Sequence, residues 1–410
     1  MGQNSEKHAK IAKKSSKTSK NMKKLIVLCV FAACAALAGE TPTTNLFEST
    51  PWILLTGSHE VGFNWMTTQP ANSWLEYRQD TNSEWKVSFY SKYGLKDGNT
   101  LYHKAYVKDY DPKKPIWYRF VATEVIVFKF FTAKYHPEVR SEEGMIKPVV
   151  REDGSWTAAV FQDVHSQNDM YEPLLKLAGE DVTLVVSNGD PCHYFNSEED
   201  IVKLLGTPLS LFAKKGIMAT FVRGNHETRG SHARYLPNYI TLRNDQYYGT
   251  ADLGFARVLF LDSGDDRADF NKQYGGSIDF DPYMLEEGEW LRKEVASEEY
   301  KKAPWKVVIM HIPPQTGEDT WERAKPHFED QVPTLVKAEP DIVLCGHDHR
   351  YQYYNKEDAK KLGFSFPYVV GDTKPLERAT VERLDVKEKE LALTVFRGDG
   401  TTVTNEIWRK

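Results

Sequence analysis

The chain has 410 residues, of which 40% are hydrophobic and 27% are charged, and its formal net charge is −5. This length exceeds what one hydrophobic core usually supports, so two domains are expected. The composition is that of a globular protein, and the acidic balance argues against a nucleic-acid partner held by a broad basic surface, but it leaves a phosphorylated substrate open because bound cations can supply positive charge locally.

The first 38 residues have the features of a secretory signal. Eight lysines between positions 7 and 24 precede an apolar run, residues 25–38, which is too short to cross a bilayer of about 30 Å as a helix. Small residues at the end of this run complete the pattern of a cleavable signal peptide. We therefore predict export to the periplasm or the outside of the cell and a mature chain without a transmembrane helix. A start at Met22, a lipid anchor at Cys34 and a buried helix instead of a signal are the alternatives.

Residues 45–138 are predicted to form an antiparallel β-sandwich. They are rich in aromatic, Thr and Val residues and contain short alternating runs, such as residues 85–90 and 116–120, which are separated by turn-forming clusters such as residues 96–99. Short strands at nearly regular spacing, divided by such turns, are typical of an all-β sandwich. A sugar-binding platform is the alternative use of the aromatic residues, but a sandwich core accounts for them.

A charged and polar stretch, residues 139–155, is predicted to link this region to a second domain, residues 156–410. In the second domain, apolar strand-like runs alternate with longer segments of helical character, such as residues 197–205 and 282–297. This alternation predicts an α/β or mixed α+β layered domain.

Five apolar runs of the second domain each end at residue types that bind metals. In chain order, the endings are Asp163-Val164-His165, Gly189-Asp190, Gly224-Asn225-His226-Glu227, His311 and Gly346-His347-Asp348-His349. The carboxyl ends of parallel strands lie at one edge of a sheet, and ligands bind in the crevice outside it. We therefore expect the five endings to converge although they are far apart in the chain.

These residue types suit a pair of divalent cations. Asp, Asn and His side chains favour Mn, Fe, Zn or Ni over metals selected by thiolates. A carboxylate such as Asp190 has two oxygens and can bridge two cations, and two cations about 3.5–4 Å apart can activate water for in-line attack on phosphorus. A single ending is a weak signal, because Gly189-Asp190 alone is commonly a turn. The five endings together predict a binuclear metal site.

The ordered set of motifs resembles the calcineurin-like metallophosphoesterase superfamily, over roughly residues 156–372. The resemblance implies a four-layer α/β/β/α sandwich of two sheets with the metals at the strand ends. It implies one metal held by Asp163, His165 and His349, another held by Asn225, His311 and His347, and Asp190 as the bridge. It implies that His226 faces the substrate, as the acid for the leaving group or as a phosphate contact.

The N-terminal region resembles the fibronectin type III-like domain that precedes the catalytic domain of purple acid phosphatases. The predicted fold class is therefore α+β, a four-layer phosphoesterase sandwich preceded by an all-β fibronectin III-like sandwich. The purple subgroup has a tyrosine ligand three residues after the second-motif aspartate and no histidine in the first motif. Here position 193 is His, and His165 completes an Asp-x-His run. We therefore expect a site without tyrosinate-to-iron colour.

Three further residues, Arg223, Arg229 and His232, are predicted to bind the substrate. The two arginines flank the third motif, where a guanidinium could hold a phosphate through two hydrogen bonds. His193 and the loop at residues 263–266 are additional candidates. The alternative for each is a solvated loop position.

The predicted function is that of an exported phosphoesterase that hydrolyses phosphate mono- or diesters. The alternative is a non-catalytic cell-surface protein that binds through its β-sandwich. Cys192 and Cys345 remain after signal removal and are predicted to be two buried thiols rather than a disulfide. The natural ester, the identity of the metals and the oligomeric state are left open by the sequence.

Overall fold

The structure is a computed structural model that describes residues 45–47, 49–315 and 325–410. The predicted signal peptide, residues 1–38, lies outside the described residues. Within them, no helix has both the length and the apolar character needed to cross a membrane.

The described residues form a mixed α+β fold with two large sheets. The strands, numbered in chain order, are Trp52–Gly57 (β1), Glu60–Arg78 (β2), Lys86–Ser88 (β3), Ser91–Lys92 (β4), Leu95–Lys96 (β5), Thr100–Val107 (β6), Ile116–Lys129 (β7), Thr132–Tyr135 (β8), Val139–Arg140 (β9), Gly144–Ile146 (β10), Trp156–Phe161 (β11), Leu184–Asn188 (β12), Met218–Val222 (β13), Gly249–Leu253 (β14), Ala256–Phe260 (β15), Trp305–Ile309 (β16), Ile342–Cys345 (β17), Gln352–Tyr354 (β18), Tyr368–Val370 (β19), Thr380–Val386 (β20), Glu390–Arg397 (β21) and Thr402–Arg409 (β22). The α-helices are Tyr171–Ala178 (α1), Glu198–Ile201 (α2), Thr207–Lys214 (α3), Phe280–Ala296 (α4), Glu298–Lys302 (α5), Val332–Ala338 (α6) and Lys356–Lys361 (α7).

Local sequence explains how these helices begin and which face they bury. The Ser197 hydroxyl accepts a hydrogen bond from the Asp200 amide, and the Asp200 carboxylate accepts one from the Ser197 amide. Such a capping box satisfies amides that have no partner inside the helix. In α4, Met284 and Leu291 are two turns apart and are buried on one face, as expected for a helix that covers a sheet.

Parallel strands form the centre of both sheets. The first sheet has the order β10-β7-β2-β1-β13-β12-β11-β20-β21-β22, and in it β11, β12 and β13 are parallel. The second sheet has the order β14-β15-β16-β17-β19-β18, and in it β15, β16, β17 and β19 are parallel. The parallel strands therefore direct their carboxyl ends to one rim of each sheet.

The two sheets pack face to face between two layers of helices. On β11, Val160 belongs to the core shared by both sheets, whereas its neighbour Phe161 packs beneath α1 and α3. On β16, Val307 faces the same shared core, whereas Val308 packs beneath α4 and α6. Alternate side chains of a strand point to opposite faces of its sheet, so each sheet is covered on both sides. The predicted four-layer α/β/β/α architecture is confirmed.

The N-terminal β-rich region is continuous with the first sheet. Strand β1 pairs antiparallel with β2 and parallel with β13, where Leu54 lies opposite Ala219. The residues predicted as a linker contain β10, which pairs with β7. The predicted boundaries at 45–138, 139–155 and 156–410 stay a prediction. The described hydrogen bonds join strands from both sides of these boundaries in one sheet and do not close the N-terminal strands into a separate sandwich.

Candidate metal centre

The five motif endings meet at the rim where the parallel strands of the two sheets end. Asp163 and His165 follow β11, Asp190 follows β12, Asn225 and His226 follow β13, His311 follows β16, and His347 and His349 follow β17. The carboxylates of Asp163 and Asp190 and the ring of His311 are fully shielded from solvent. The predicted convergence is therefore present in the structure.

Sharp backbone turns aim these side chains into the rim. Five of the eight motif residues have positive φ angles: Asp163, His165, Asp190, His347 and His349. Residues other than glycine seldom adopt this conformation and keep it only where the surroundings enforce it. Here the His165 amide donates to the Asp190 carbonyl at 3.0 Å, and the His347 amide donates to Asp163 Oδ2 at 2.8 Å. The motif loops thus hold one another in place.

One group of side chains lies around Asp163. Asp163, His165, Asp190 and His349 place their ligand atoms within 4.8 Å of one another. The Nε2 atoms of His165 and His349 are 2.7 Å apart, a separation at which a proton or a cation must lie between the two lone pairs. Oδ1 of Asp163 is 3.3 Å from His349 Nε2.

A second group adjoins the first through Asp190. His311 Nε2 is 3.2 Å from Asp190 Oδ2, and His347 Nδ1 is 3.0 Å from Asn225 Oδ1. The other ring nitrogen of His311 contacts the Asn188 carbonyl oxygen at 2.8 Å, which turns Nε2 toward the carboxylates. Asp190 therefore contacts both groups, as expected of a bridging ligand.

The donor atoms fit divalent cations. Asp163 Oδ1, Asp190 Oδ2 and His311 Nε2 are buried and make no well-aligned hydrogen bond with a described residue, although His311 Nε2 lies 3.2 Å from Asp190 Oδ2. Buried polar atoms in native proteins nearly always have a partner, and cations at this rim would supply one. Carboxylate oxygen, amide oxygen and imidazole nitrogen form the donor set of Mn, Fe, Zn or Ni.

Burial and charge set the protonation of the histidines. Burial lowers the pKa of His165 and of His347 to about 4, so both rings are neutral near pH 7 and keep a free lone pair. Burial also disfavours the charged form of His311, but the carboxylates of Asp190 and Asp163 outweigh it and raise the pKa of His311 to about 10. Without metal, the His311 proton balances the carboxylate charge, and a bound cation would displace it.

All of these side chains lie within residues 158–351, which match the family model described as calcineurin-like phosphoesterase. This region is a calcineurin-like phosphoesterase domain.

Similar proteins agree with this assignment. Purple acid phosphatase 22 from Arabidopsis thaliana is 24% identical over 222 residues, which are 50% of this chain and 44% of that protein. Probable purple acid phosphatase 20 from the same plant is 30% identical over 108 residues, 25% of each chain. The chain therefore spans less than half the length of these relatives. A purple acid phosphatase from yellow lupin (Lupinus luteus) seeds has the same fold, with a TM-score of 0.61, 14% identity, and coverage of 88% of this chain and 74% of that chain.

His226 of the phosphoesterase domain lies beside the metal ligands and contacts Arg229. Its Nε2 is 3.7 Å from Asp190 Oδ2, and its Nδ1 is 2.9 Å from the His193 carbonyl oxygen. Arg229 Nη1 lies 2.8 Å from His226 Nε2, and Arg229 Nη2 donates to Asp266 at 2.6 Å. Because a carbonyl faces Nδ1 and a guanidinium faces Nε2, the ring is the neutral tautomer with its proton on Nδ1. Burial, reinforced by Arg229 against the pull of Asp190, lowers the pKa of His226.

His193 also joins the site of the phosphoesterase domain. Its ring stacks on the ring of His165, with centroids 4.6 Å apart. His165, His193 and His226 form a further group whose ligand atoms lie within 4.8 Å of one another. The sequence analysis named His193 only as a possible substrate contact, although it stands where the purple subgroup has a tyrosine ligand.

Two residues predicted to bind the substrate contact other side chains in the structure. Arg223 is paired with Asp262, and its guanidinium lies 3.9 Å from the centroid of the Tyr247 ring. His232 contacts Ser231 and packs edge-on against Tyr235. These contacts involve none of the candidate metal ligands, and Arg223 also lines a large cleft, so the substrate roles of both residues stay predictions.

Glu227 has a role that the sequence did not reveal. Its Oε2 accepts hydrogen bonds from the Asp190 amide at 3.0 Å and from the Gly224 amide at 2.6 Å, and Cys192 Sγ donates to its Oε1 at 3.7 Å. Glu227 therefore ties the second motif to the third. Its place in the third motif was visible in the sequence, but its burial was not. The cysteine prediction holds, since Cys192 and Cys345 are both free and buried.

A cleft of about 1170 Å³ lies between the N-terminal strands and the loop after His226. Its lining includes Lys104, Thr228, Tyr239 and Tyr274. Asp265, from the loop at residues 263–266, accepts hydrogen bonds from the hydroxyls of Thr228 and Tyr274. The loop at 263–266 therefore supports two residues that line the cleft.

Proposed function

We propose that the chain is an exported, binuclear metal-dependent phosphoesterase that hydrolyses phosphate mono- or diesters. The observation that carries the proposal is the meeting of five strand ends at a buried group of carboxylate, amide and imidazole atoms, several of which make no well-aligned hydrogen bond with a described residue. The family model and the purple acid phosphatase relatives support this class of reaction. Export rests on the sequence pattern of residues 1–38.

Each ligand has an assigned place in this proposal. One cation would be held by Asp163, His165 and His349, the other by Asn225, His311 and His347, and Asp190 would bridge them. When bound, such a pair neutralises charge on the phosphoryl oxygens and lowers the pKa of water. The loops that carry these ligands are mutually hydrogen-bonded, so their side chains would hold the two cations in a preformed arrangement.

His226 and Arg229 are proposed to handle the phosphate and the leaving group. In the present arrangement, Arg229 holds His226 Nε2, so the ring cannot donate a proton from that atom. A phosphoryl oxygen that accepted the Arg229 hydrogen bonds would free Nε2, and its negative charge would raise the His226 pKa. His226 could then take up a proton and donate it to the leaving oxygen.

The activity is tested with mono- and bis-nitrophenyl phosphate. Nitrophenol release is compared for protein as purified, after chelator treatment, and after return of Mn, Fe, Zn or Ni, while elemental analysis counts the metals. We expect release that is lost with the chelator and restored by one of these metals. Asp190→Ala should lose both metals and the activity, whereas Asp399→Ala, in an exposed turn, should keep both. Undiminished turnover by metal-free protein, or full metal content in Asp190→Ala, would contradict the proposal.

His226→Ala separates the proposed acid from the metal ligands. It should leave the metal content intact and slow the hydrolysis of esters with poor leaving groups by about 10²–10⁴-fold, the usual contribution of a positioned acid. If His226→Ala hydrolyses such esters as fast as the unchanged protein does, His226 is not the acid. The alternative function, a cell-surface protein that binds through its β-sandwich, predicts that metal-loaded protein hydrolyses neither ester.

A further inference from the structure

Two hairpin turns of the N-terminal region place aromatic residues in a backbone conformation that disfavours them. Tyr93-Gly94 joins β4 to β5, and Phe130-Phe131 joins β7 to β8. Tyr93 has a φ of 54° and Phe131 a φ of 56°. Two-residue hairpin turns that need a positive φ usually carry Asn, Asp or Gly, because a bulky side chain is strained there.

The side chains at these turns gain no packing that would offset this strain. Tyr93 is 93% exposed, Phe130 is 87% exposed, Phe131 is 94% exposed and Leu95 is 77% exposed. The rings of Phe130 and Phe131 lie against each other, with centroids 4.1 Å apart. Sequence positions that break a local rule without benefit to the fold commonly serve function.

The two hairpins leave the sheet side by side. A side chain at Gly98, just after β5, would lie 3.5 Å from Phe128 Cε2 and 2.8 Å from Tyr135 Oη, atoms of the other hairpin. Phe128 is itself half-exposed. We call the surface formed by Tyr93, Leu95, Phe128, Phe130 and Phe131 the aromatic-tip surface.

Exposed lysines accompany the aromatic-tip surface on an otherwise acidic protein. Lys92, Lys129 and Lys134 lie in the two hairpins, are exposed and form no ion pair with a described residue, whereas Lys96 is half-buried against the rings of Trp74 and Phe89. The first 44 residues carry eight lysines and two glutamates, so the rest of the chain has a formal net charge of −11. A cationic and aromatic surface on such a protein fits an anionic partner.

We propose that the aromatic-tip surface docks the protein on an anionic phospholipid bilayer. The aromatic tips would enter the boundary between headgroups and acyl chains, where Tyr and Phe are favoured, and the lysines would contact lipid phosphates. A stable protein partner normally buries about 800 Å² on each side, whereas the aromatic-tip surface consists of five side chains on two hairpins, which enter a soft medium more readily than they match a rigid partner. The proposal does not depend on the catalytic activity.

Vesicle flotation measures this docking directly. The full-length chain and the chain without residues 1–38 are mixed with vesicles of phosphatidylcholine or of an equimolar mixture of phosphatidylcholine and phosphatidylglycerol. The shorter chain is included because the apolar run at residues 25–38 could itself bind lipid. We expect both chains to bind the anionic vesicles and binding to weaken as salt is raised.

Turn-favouring substitutions distinguish docking from a structural role. The double variant Phe130→Asn with Phe131→Gly, and the single variant Tyr93→Asn, should keep or raise the melting temperature because Asn and Gly suit these turns. Each lost aromatic side chain should weaken vesicle binding by about tenfold. Lys129→Gln and Lys134→Gln should each weaken binding about fivefold, on anionic vesicles alone. Phe270→Asn, which changes a phenylalanine that is 81% exposed elsewhere, is the matched control and should bind normally.

Three outcomes would overturn the docking proposal. These are failure of the shorter chain to bind anionic vesicles, binding of the tip variants as tight as that of the unchanged protein, and an equal loss of binding to neutral vesicles by the lysine variants. Sedimentation of the same variants checks whether the tips instead join two copies of the chain. If the unchanged protein self-associates but does not bind vesicles, and the tip substitutions abolish the self-association, the partner of the aromatic-tip surface is a second copy of the chain and not a bilayer.

Discussion

Glu227 accepts hydrogen bonds from two motif loops at once, so its removal should disturb metal binding without removing a ligand. Burial, together with the charge of Asp190, raises the pKa of Glu227 to about 8, which is consistent with its enclosed position. Glu227→Ala should lower metal affinity by about 10–100-fold, as is typical of residues that orient ligands. Glu227→Gln should retain most of the affinity because its amide oxygen can accept both hydrogen bonds. Metal titration of the two variants measures these affinities. If both variants bind metal as tightly as the unchanged protein, Glu227 does not position Asp190.

Gly189 lies where any side chain would strike His311, a proposed metal ligand. Its φ is 79°, and a Cβ there would lie 2.4 Å from His311 Nδ1. Gly189→Ala should therefore reduce the metal content and destabilise the fold by more than the roughly 1–2 kcal/mol of an unfavourable φ alone. Gly400→Ala is the matched control, because Gly400 has a similar φ of 88° with no atom near its Cβ position. Urea unfolding and elemental analysis give both quantities, and identical results for the two variants would mean that the contact with His311 is unimportant.

For individual residues, the sequence predicted which residue types lie at the rim but not the direction in which each side chain points. The strand endings identified the residues that meet at the rim, because parallel strands end at a common edge. Arg223 is predicted to bind phosphate from its position beside the third motif, and this stays a prediction, but its pairing with Asp262 could not be predicted. Asp262 is distant in sequence, and a pattern of neighbouring residues contains no information about such a partner.

Strand β6 carries a half-buried cation, Lys104, whose effect on stability can be measured. Burial lowers the pKa of Lys104 to about 8, from 10.5 in the unfolded chain. Below pH 8, Lys104 is protonated in both the folded and the unfolded state. The folded state then bears the full free-energy cost of burying the charge. Between about pH 8 and 10.5 the folded state loses its proton first, so stability rises with pH. Lys104→Met should therefore be more stable than the unchanged protein near pH 7, by about 1–2 kcal/mol after loss of the hydrogen bond to the Pro237 carbonyl.

Urea unfolding at several pH values tests the Lys104 prediction. The difference between Lys104→Met and the unchanged protein should shrink as the pH rises from about 8 to 10.5, because both proteins share every other titrating group. Lys113→Met, on an exposed loop, is the control and should show no such trend. A difference that stays constant with pH would mean that the charge of Lys104 is not what costs stability.

Element types followed from the sequence more readily than their partners did. Alternation of polar and apolar residues identified N-terminal strands, although β2 and β7 are longer than the short strands predicted, and the switch to longer helical segments identified the layered domain. The pairing of β1 with β13 joins Leu54 to Ala219, which are far apart in the chain. The pattern of β1 is equally compatible with a separate sandwich, so sequence alone could not place this strand in the catalytic sheet.

The continuous first sheet predicts that the N-terminal region and the phosphoesterase domain unfold together. Trp52 on β1 is buried, packs into the same core as α1 and α3, and donates from its indole nitrogen to the Tyr239 carbonyl at 3.0 Å. Its loss should cost about 3–5 kcal/mol, as for other large core residues. Because β1 lies between β2 and β13, that cost should appear in both regions.

Hydrogen exchange can separate one cooperative unit from two. In Trp52→Ala, the slowly exchanging amides of β7 and of β12 should lose protection by the same free energy, since both strands then open in one global transition. Trp85→Ala removes a partly exposed tryptophan from a loop of the N-terminal region and should change the protection of both strands little. If Trp52→Ala deprotected β7 and left β12 unchanged, the two regions would be independent units. The N-terminal strands would then only dock onto the catalytic sheet, and they would not be part of it energetically.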